Sequence, residues 1–199
     1  MSMKFILPIV LAAISLYAQG SNAILGIRSS KYAYAGYENN KIGVILENSV
    51  FVEDVEKQYA RAIAYYHFLI SKLYVSYGLY YGSRYNHDFY DYGAILKSSV
   101  KLTEHVLRLD GIFMPFYDSD LKLHYGYSAS MSIFPFSEVG FVGGFRNIPD
   151  YREIERRVFG GLEIQTPHLT VRPEVSTPLR ENSKPVTRVT VNFIYRNPL

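Results

Sequence analysis

Thirteen consecutive residues, 121 to 133, alternate in character without a break. The odd positions are Leu121, Leu123, Tyr125, Tyr127, Ala129, Met131 and Ile133; the even ones are Lys122, His124, Gly126, Ser128, Ser130 and Ser132. Successive side chains of an extended chain project to opposite faces, so this segment has one apolar or aromatic face and one polar or small face. A helical period would scatter both sets around the axis. The segment is long for a strand of a water-soluble sheet but suits a tilted strand crossing a bilayer, which needs ~9 to 11 residues.

The pattern recurs along the chain. Strands are predicted over residues 24–37, 41–51, 58–68, 71–84, 89–101, 105–116, 121–133, 139–147, 156–165, 169–177 and 186–196. These eleven segments make the chain all-β, and an antiparallel up-and-down transmembrane β-barrel is the architecture they predict. A closed bacterial barrel normally has an even number of strands. Ten or twelve are therefore expected, and segment 24–37, with polar residues from Arg28 to Lys31 in its middle, is the one expected to divide. Two stretches carry alternatives. Residues 53–73 include good helix formers behind an acidic start and fit an amphipathic helix, but a strand over 58–68 supplies the neighbour that segment 71–84 needs. It would turn Ala60, Ala62, Ala64, Tyr66 and Phe68 outward and Tyr59, Arg61, Ile63, Tyr65 and His67 inward. In segment 105–116, Pro115 is expected to end the pairing, with an edge or a bulge nearby.

The N-terminus reads as an export signal. Lys4 precedes an apolar run from Phe5 to Leu16 and then small residues that allow cleavage after Ala18, Gly20 or Ala23. An apolar run of that length falls short of the ~20 residues of a spanning helix. The expected organisation is thus a signal peptide at 1–23 and a single barrel domain at 24–199. Nineteen Tyr and twelve Phe, without Trp, favour strands and membrane interfaces. The absence of Cys excludes disulfides, thiolate metal sites and a cysteine nucleophile. Twenty-one basic residues against 18 acidic ones are scattered along the chain, so no basic stripe for nucleic acid forms. The links near residues 69–71, 103–104, 135–138 and 166–168 are short, whereas those near 85–88, 148–155 and 178–185 are longer and more charged. Membrane barrels put short turns at the periplasmic rim and longer loops at the other.

Alternation does not say which face points out. A soluble barrel holding an apolar ligand would bury its apolar face, and a membrane barrel would bury its polar one. Strand length, aromatic enrichment and the small residues of the polar face favour the membrane. The polar faces then carry Arg61, Lys72, Lys97, Lys101, Arg108, Lys122, Arg157, Arg172 and Arg188 against Glu47, Asp91, Asp110, Glu163 and Glu174. The basic excess fits passage of small solutes or ions with a mild anion preference, because charged rings set pore selectivity. An interior filled by its own ion pairs, with a structural role, is the reading preferred at this level.

No catalytic constellation emerges. Membrane-barrel lipases and deacylases place a Ser nucleophile two residues after a His, but the residues at that spacing are Leu69, Phe89, Leu107, Gly126 and Thr170. His87, Asp88 and Asp91 lack zincin spacing and read as a solvated loop, so no metal or cofactor is expected. Gly143, Gly144, Gly160 and Gly161 read as strand bends rather than a phosphate loop. Tyr65, Tyr66, Tyr80 and Tyr81 read as interfacial or cross-strand aromatics rather than a sugar platform.

The export signal, the alternating strands, the aromatic enrichment and the amphipathic final strand, 187–196, together resemble the small outer-membrane barrel proteins of Gram-negative bacteria, the broad OmpA-, OmpX- and YfaZ-type group. The resemblance implies the outer-membrane bilayer as environment, the barrel-assembly machinery as a partner and no enzymatic activity. Such chains usually end on an aromatic residue that this machinery recognises. Here Phe193 and Tyr195 are followed by Arg196, Asn197, Pro198 and Leu199.

Overall fold

The computed structural model describes residues 21–29, 31–49, 55, 58–103, 106–147, 156–179 and 187–198. Twelve strands follow one another in chain order: β1 (Asn22–Arg28), β2 (Tyr32–Glu38), β3 (Ile42–Ser49), β4 (Tyr59–Ile70), β5 (Leu73–Arg84), β6 (Tyr90–Thr103), β7 (Leu107–Asp118), β8 (Leu123–Ile133), β9 (Val139–Arg146), β10 (Arg157–Gln165), β11 (Leu169–Pro178) and β12 (Arg188–Pro198). Each pairs antiparallel with its neighbours, and β1 pairs β12, for example Leu25 with Tyr195, so the sheet closes on itself. Closure satisfies every edge, as a sheet in hydrocarbon requires. No helix among the described residues is long and apolar enough to cross a membrane. Of the export signal expected at 1–23, residues 1–20 lie outside the described residues, and Asn22 and Ala23 belong to β1.

The expected division of segment 24–37 is found. β1 and β2 form a hairpin whose turn carries Ser29 at a φ of 53°, and Lys31 N–H donates to Arg28 O at 3.0 Å. Continued as one long strand, the run would have turned Ser29 and Lys31 to the outer face. The 53–73 segment is strand from Tyr59 to Ile70, paired along its whole length with β5. A helix would have left both neighbours with open edges.

Pro115 does not end pairing. It lies inside β7, opposite Tyr125 of β8, and its effect falls on the β6 side alone. That ladder runs from Gly93–Phe116 directly to Leu96–Phe113, skipping the pairs at Ala94 and Ile95 without changing register. The gap falls where Pro lacks the N–H that would reach Ala94 O. β11 repeats the device: Pro173 pairs with Val191 of β12, while the β10 ladder skips from Gly161–Glu174 to Ile164–Val171. The bulge expected in this stretch is found at its start, as a register shift between Lys101 and Thr103 of β6 opposite Arg108 and Leu107.

The long alternating segment begins two residues later than expected. Leu121 has a φ of 57°, and Asp118 holds the preceding turn by accepting the N–H groups of Asp120 and Lys122, both at 3.0 Å. A left-handed residue cannot continue a strand, so β8 starts at Leu123.

The faces are inverted relative to a soluble barrel. Outward side chains are apolar and exposed, among them Val189 at 72% and Leu79 at 69%, whereas inward Glu174 is only 2% exposed. The inward and outward sets expected for β4 hold, with Arg61, Ile63 and His67 buried and Ala62, Ala64 and Tyr66 exposed. A belt of exposed apolar side chains of this size is incompatible with water and matches hydrocarbon. Outer aromatics pack across strands, with Tyr92 on Tyr117 at 5.8 Å and Phe113 on Tyr125 at 6.1 Å. The chain is an up-and-down transmembrane β-barrel.

The links sort by length between the two rims. At the lower rim, where β1 begins and β12 ends, links span two to five residues; at the upper rim three to ten. The upper rim carries 50–58, 147–156 and 179–187, but also the tight β1–β2 and β7–β8 turns.

Candidate functional site

The barrel encloses a cavity of about 760 Å³ lined by side chains of every strand sector. Of the charged residues expected to face the interior, Arg61, Lys97, Arg108, Arg157, Arg172, Arg188, Glu47, Asp110, Glu163 and Glu174 line it. Four do not. Lys72 sits exposed in the β4–β5 turn, Lys101 is exposed at the shifted end of β6, and Lys122 lies in the upper turn with its ammonium 3.5 Å from Asp120. Alternation misplaced Lys72 and Lys122 because inward parity was carried past the strand ends into turns. Asp91 points inward but is buried beneath tyrosines, accepting from Tyr59 Oη at 2.5 Å and Tyr80 Oη at 3.4 Å.

Arg28, Lys31, Glu38, Arg146 and Arg196 also line the cavity. Arg146 and Arg196 already share the polar faces of their strands, so parity alone was enough to find them. Arg28 and Lys31 looked like a strand break, which they flank. Among the described residues, ten basic and five acidic side chains line the lumen.

Most of these charges compensate one another in two networks. Near the upper rim Glu47 joins β1 and β4, accepting from Arg28 at 2.8 Å and Arg61 at 2.7 Å. Along the β7–β11 wall a ladder of alternating sign descends. Arg146 reaches Glu174 at 2.7 Å, Arg172 reaches Glu174 at 2.6 Å and Glu163 at 4.0 Å, and Arg108 reaches Glu163 at 2.6 Å and Asp110 at 2.8 Å. Phe159 is clasped between two of these guanidiniums, 4.6 Å from Arg146 and 5.3 Å from Arg172. Glu47, Glu163 and Glu174 stay ionised in the interior because each is held by two arginines. At the lower rim Arg196 donates to Glu38 at 2.8 Å, and Tyr65 Oη donates to the same carboxylate at 3.1 Å.

Beside the ladder, and meeting it at β7, the β3–β7 wall is apolar. Ile63, Tyr80, Ile95, Met114 and Phe116 form one buried cluster, with Ile45, Tyr65 and Ile112 packed against it. Glycine makes room for its aromatics: the Tyr65 ring lies over Gly43, where a Cβ would overlap the phenol. Lys97 sits within this wall, its ammonium 5.7 Å above the Tyr65 ring.

The other residues singled out from sequence do not assemble. His87 contacts Ser83 at 3.4 Å, Asp88 accepts from Arg84 at 2.8 Å, and Asp91 is turned away into its tyrosine cage. Among the described residues no three His, Asp or Glu side chains are grouped to hold a metal. Gly143 and Gly160 are paired directly across β9 and β10 on the outer face, and Gly144 and Gly161 face inward. Tyr66 and Tyr81 face outward, whereas Tyr65 and Tyr80 belong to the inner wall.

No family model and no curated protein matches the chain. Solved structures do. The chain is similar to the KdgM porin in complex with disordered oligogalacturonate, with a TM-score of 0.61 and 12% identity over 88% of this chain and 98% of that one. A second KdgM porin structure gives 0.60 and 13% identity over 88% and 98%. The NanC porin in a rhombohedral crystal form gives 0.56 and 12% over 89% and 99%. The similar structures are porins, channels rather than enzymes, and nothing among them favours the narrower OmpA-, OmpX- or YfaZ-type group. The fold this chain shares is that of outer-membrane porin barrels, over nearly the full length of each.

Proposed function

We propose that this protein is an outer-membrane channel for small anionic solutes. The observation that carries the reading is the two-to-one excess of basic over acidic side chains around a cavity of about 760 Å³, a volume that accepts a small organic molecule. Charged walls of one sign raise the local concentration of the opposite ion and set selectivity. The paired networks take up much of the charge that a self-filled interior would need, yet they leave this space and its cationic surplus. Oligogalacturonate, bound by one of the similar porins, is itself an anion, which supports the same polarity here.

In this reading the apolar segment near the N-terminus directs export and is cut after Ala18 or Gly20, because a cut after Ala23 would remove Asn22 and Ala23, which pair with Pro198 and Asn197 in the closing ladder. The barrel-assembly machinery inserts the chain, and the rim with longer loops faces outside. A soluble barrel with an apolar ligand is the poorer reading, since its apolar face would have to point inward.

Planar-bilayer recording of the purified barrel under a potassium chloride gradient tests the proposal. A reversal potential on the chloride side is expected. Absence of conductance, or cation selectivity, would overturn it.

A further inference from the structure

The lumen is not uniform. Its charged ladder rises on β7–β11 with every arginine of the chain from Arg146 to Arg108 already held by a carboxylate. On the sector centred four strands away in the twelve-strand ring, Ile45 and Ile63 are direct cross-strand partners, and Ile95 and Met114 continue the wall to β7, where it meets the ladder. Lys97 stands at the foot of this wall, two residues below Ile95 on the same face of β6 and opposite Ile112 in register. Among the described residues it makes no ion pair; its partner is the Tyr65 ring. An uncompensated ammonium next to an aliphatic surface inside a lumen is costly unless something with a carboxylate and a hydrocarbon body visits it.

Resting on the anion-channel reading, we propose that the midsection of the lumen is a selectivity site for amphiphilic monocarboxylates, which seat the carboxylate at Lys97 and the hydrocarbon body against Ile45, Ile63, Ile95 and Met114. A carboxylate reaching the ladder instead would have to displace an internal one. A polyhydroxylated acid would press its hydroxyl groups on isoleucine, where they find no partner and lose their water. The site therefore discriminates by the body of the anion, and the ladder keeps the lumen wet and open to its charge.

Hexanoate and gluconate test this, since both are six-carbon monocarboxylates and differ in hydroxyl groups. Chloride current through the full-length barrel is recorded while either acid is titrated, and the concentration that halves the current is read for each. Hexanoate is expected to act at a concentration about tenfold or more below that of gluconate, the discrimination typical of a small apolar contact. The ratio should fall towards one in Ile95→Ser and, independently, in Ile45→Ser, and the half-blocking concentration of hexanoate should rise in Lys97→Met. Each variant is scored only when its heat-modifiable gel migration shows a closed barrel, and the wild-type ratio reads the proposal even when a variant does not close. Equal or better action of gluconate on a barrel that remains chloride-selective overturns the site and spares the channel. A hexanoate preference that survives both isoleucine variants overturns it too. A wild-type barrel with no chloride selectivity overturns both readings.

Discussion

Leu79→Arg tests the membrane orientation most directly. Leu79 points outward and is 69% exposed, and its register partners are Ala64 and Ala94, so no acidic side chain adjoins it. It lies six residues above the start of β5 at Leu73 and five below its end at Arg84. With a rise of about 3.3 Å per residue and a tilt near 40°, those steps place it roughly 15 Å and 13 Å from the two strand ends along the barrel axis. This is the middle of an apolar band about 25 Å tall, too deep for the guanidinium to reach either surface without deforming the bilayer. An arginine at that depth costs about 2–4 kcal/mol, whereas at an exposed site in water the change is usually within about 0.5 kcal/mol. Leu121→Arg provides the contrast: Leu121 is 65% exposed but sits in the upper turn, outside the strands. Denaturant titration of each variant folded into phospholipid vesicles, followed by heat-modifiable migration, should show a loss of about 2–4 kcal/mol for Leu79→Arg and near neutrality for Leu121→Arg. A Leu79→Arg barrel as stable as the wild type would refute the assignment of this face to lipid.

Glu174→Gln keeps the volume but strips the carboxylate between Arg146 and Arg172, two guanidiniums about 20% exposed to the lumen. Breaking so buried a pair costs about 3–5 kcal/mol, towards the lower figure here because lumen water reaches both arginines, and bilayer recordings should show stronger chloride selectivity. Gly43→Ala pushes a methyl group into the Tyr65 ring and should lower the free energy of unfolding, read by denaturant titration, by about 1–3 kcal/mol, the usual cost of overpacking. Pro115→Ala supplies the missing donor opposite Ala94. The new hydrogen bond, about 0.5–1.5 kcal/mol, is offset by the freer unfolded chain, about 0.4–1 kcal/mol, so stability should barely move. The amide of residue 115 should nonetheless be protected in hydrogen exchange, and rapid exchange there would show that Pro115 does not cause the gap.

How much was legible in advance follows from which signals are local. The alternation of residues 123–133 and of 73–84 needs only the two-residue period of an extended chain, and both are strands with the expected faces. The division between β1 and β2 was legible because polar residues interrupt an apolar face. Pro115 misled because a missing donor affects one neighbour of a strand only, and a central strand keeps its other ladder. Parity located Arg61, Arg108, Glu163 and Glu174 on inward faces, but the pairing of Arg146 with Glu174 and of Arg108 with Glu163, and the clasp on Phe159, depend on which strands adjoin and in what register.

The sequence by itself determined that this chain forms long two-faced strands, since side-chain alternation along a strand is a property of the backbone and needs no partner. It left open which face is outside, because alternation is symmetric between the two. Closure decided that: with β1 paired to β12, one face of every strand has to share a single enclosed volume, and the polar face took it. Only the closed structure also sets the isoleucine wall and the arginine ladder around one lumen. Lys97 and Glu174 lie on strands far apart in the chain, and nothing but the circular strand order brings them to the same enclosed volume.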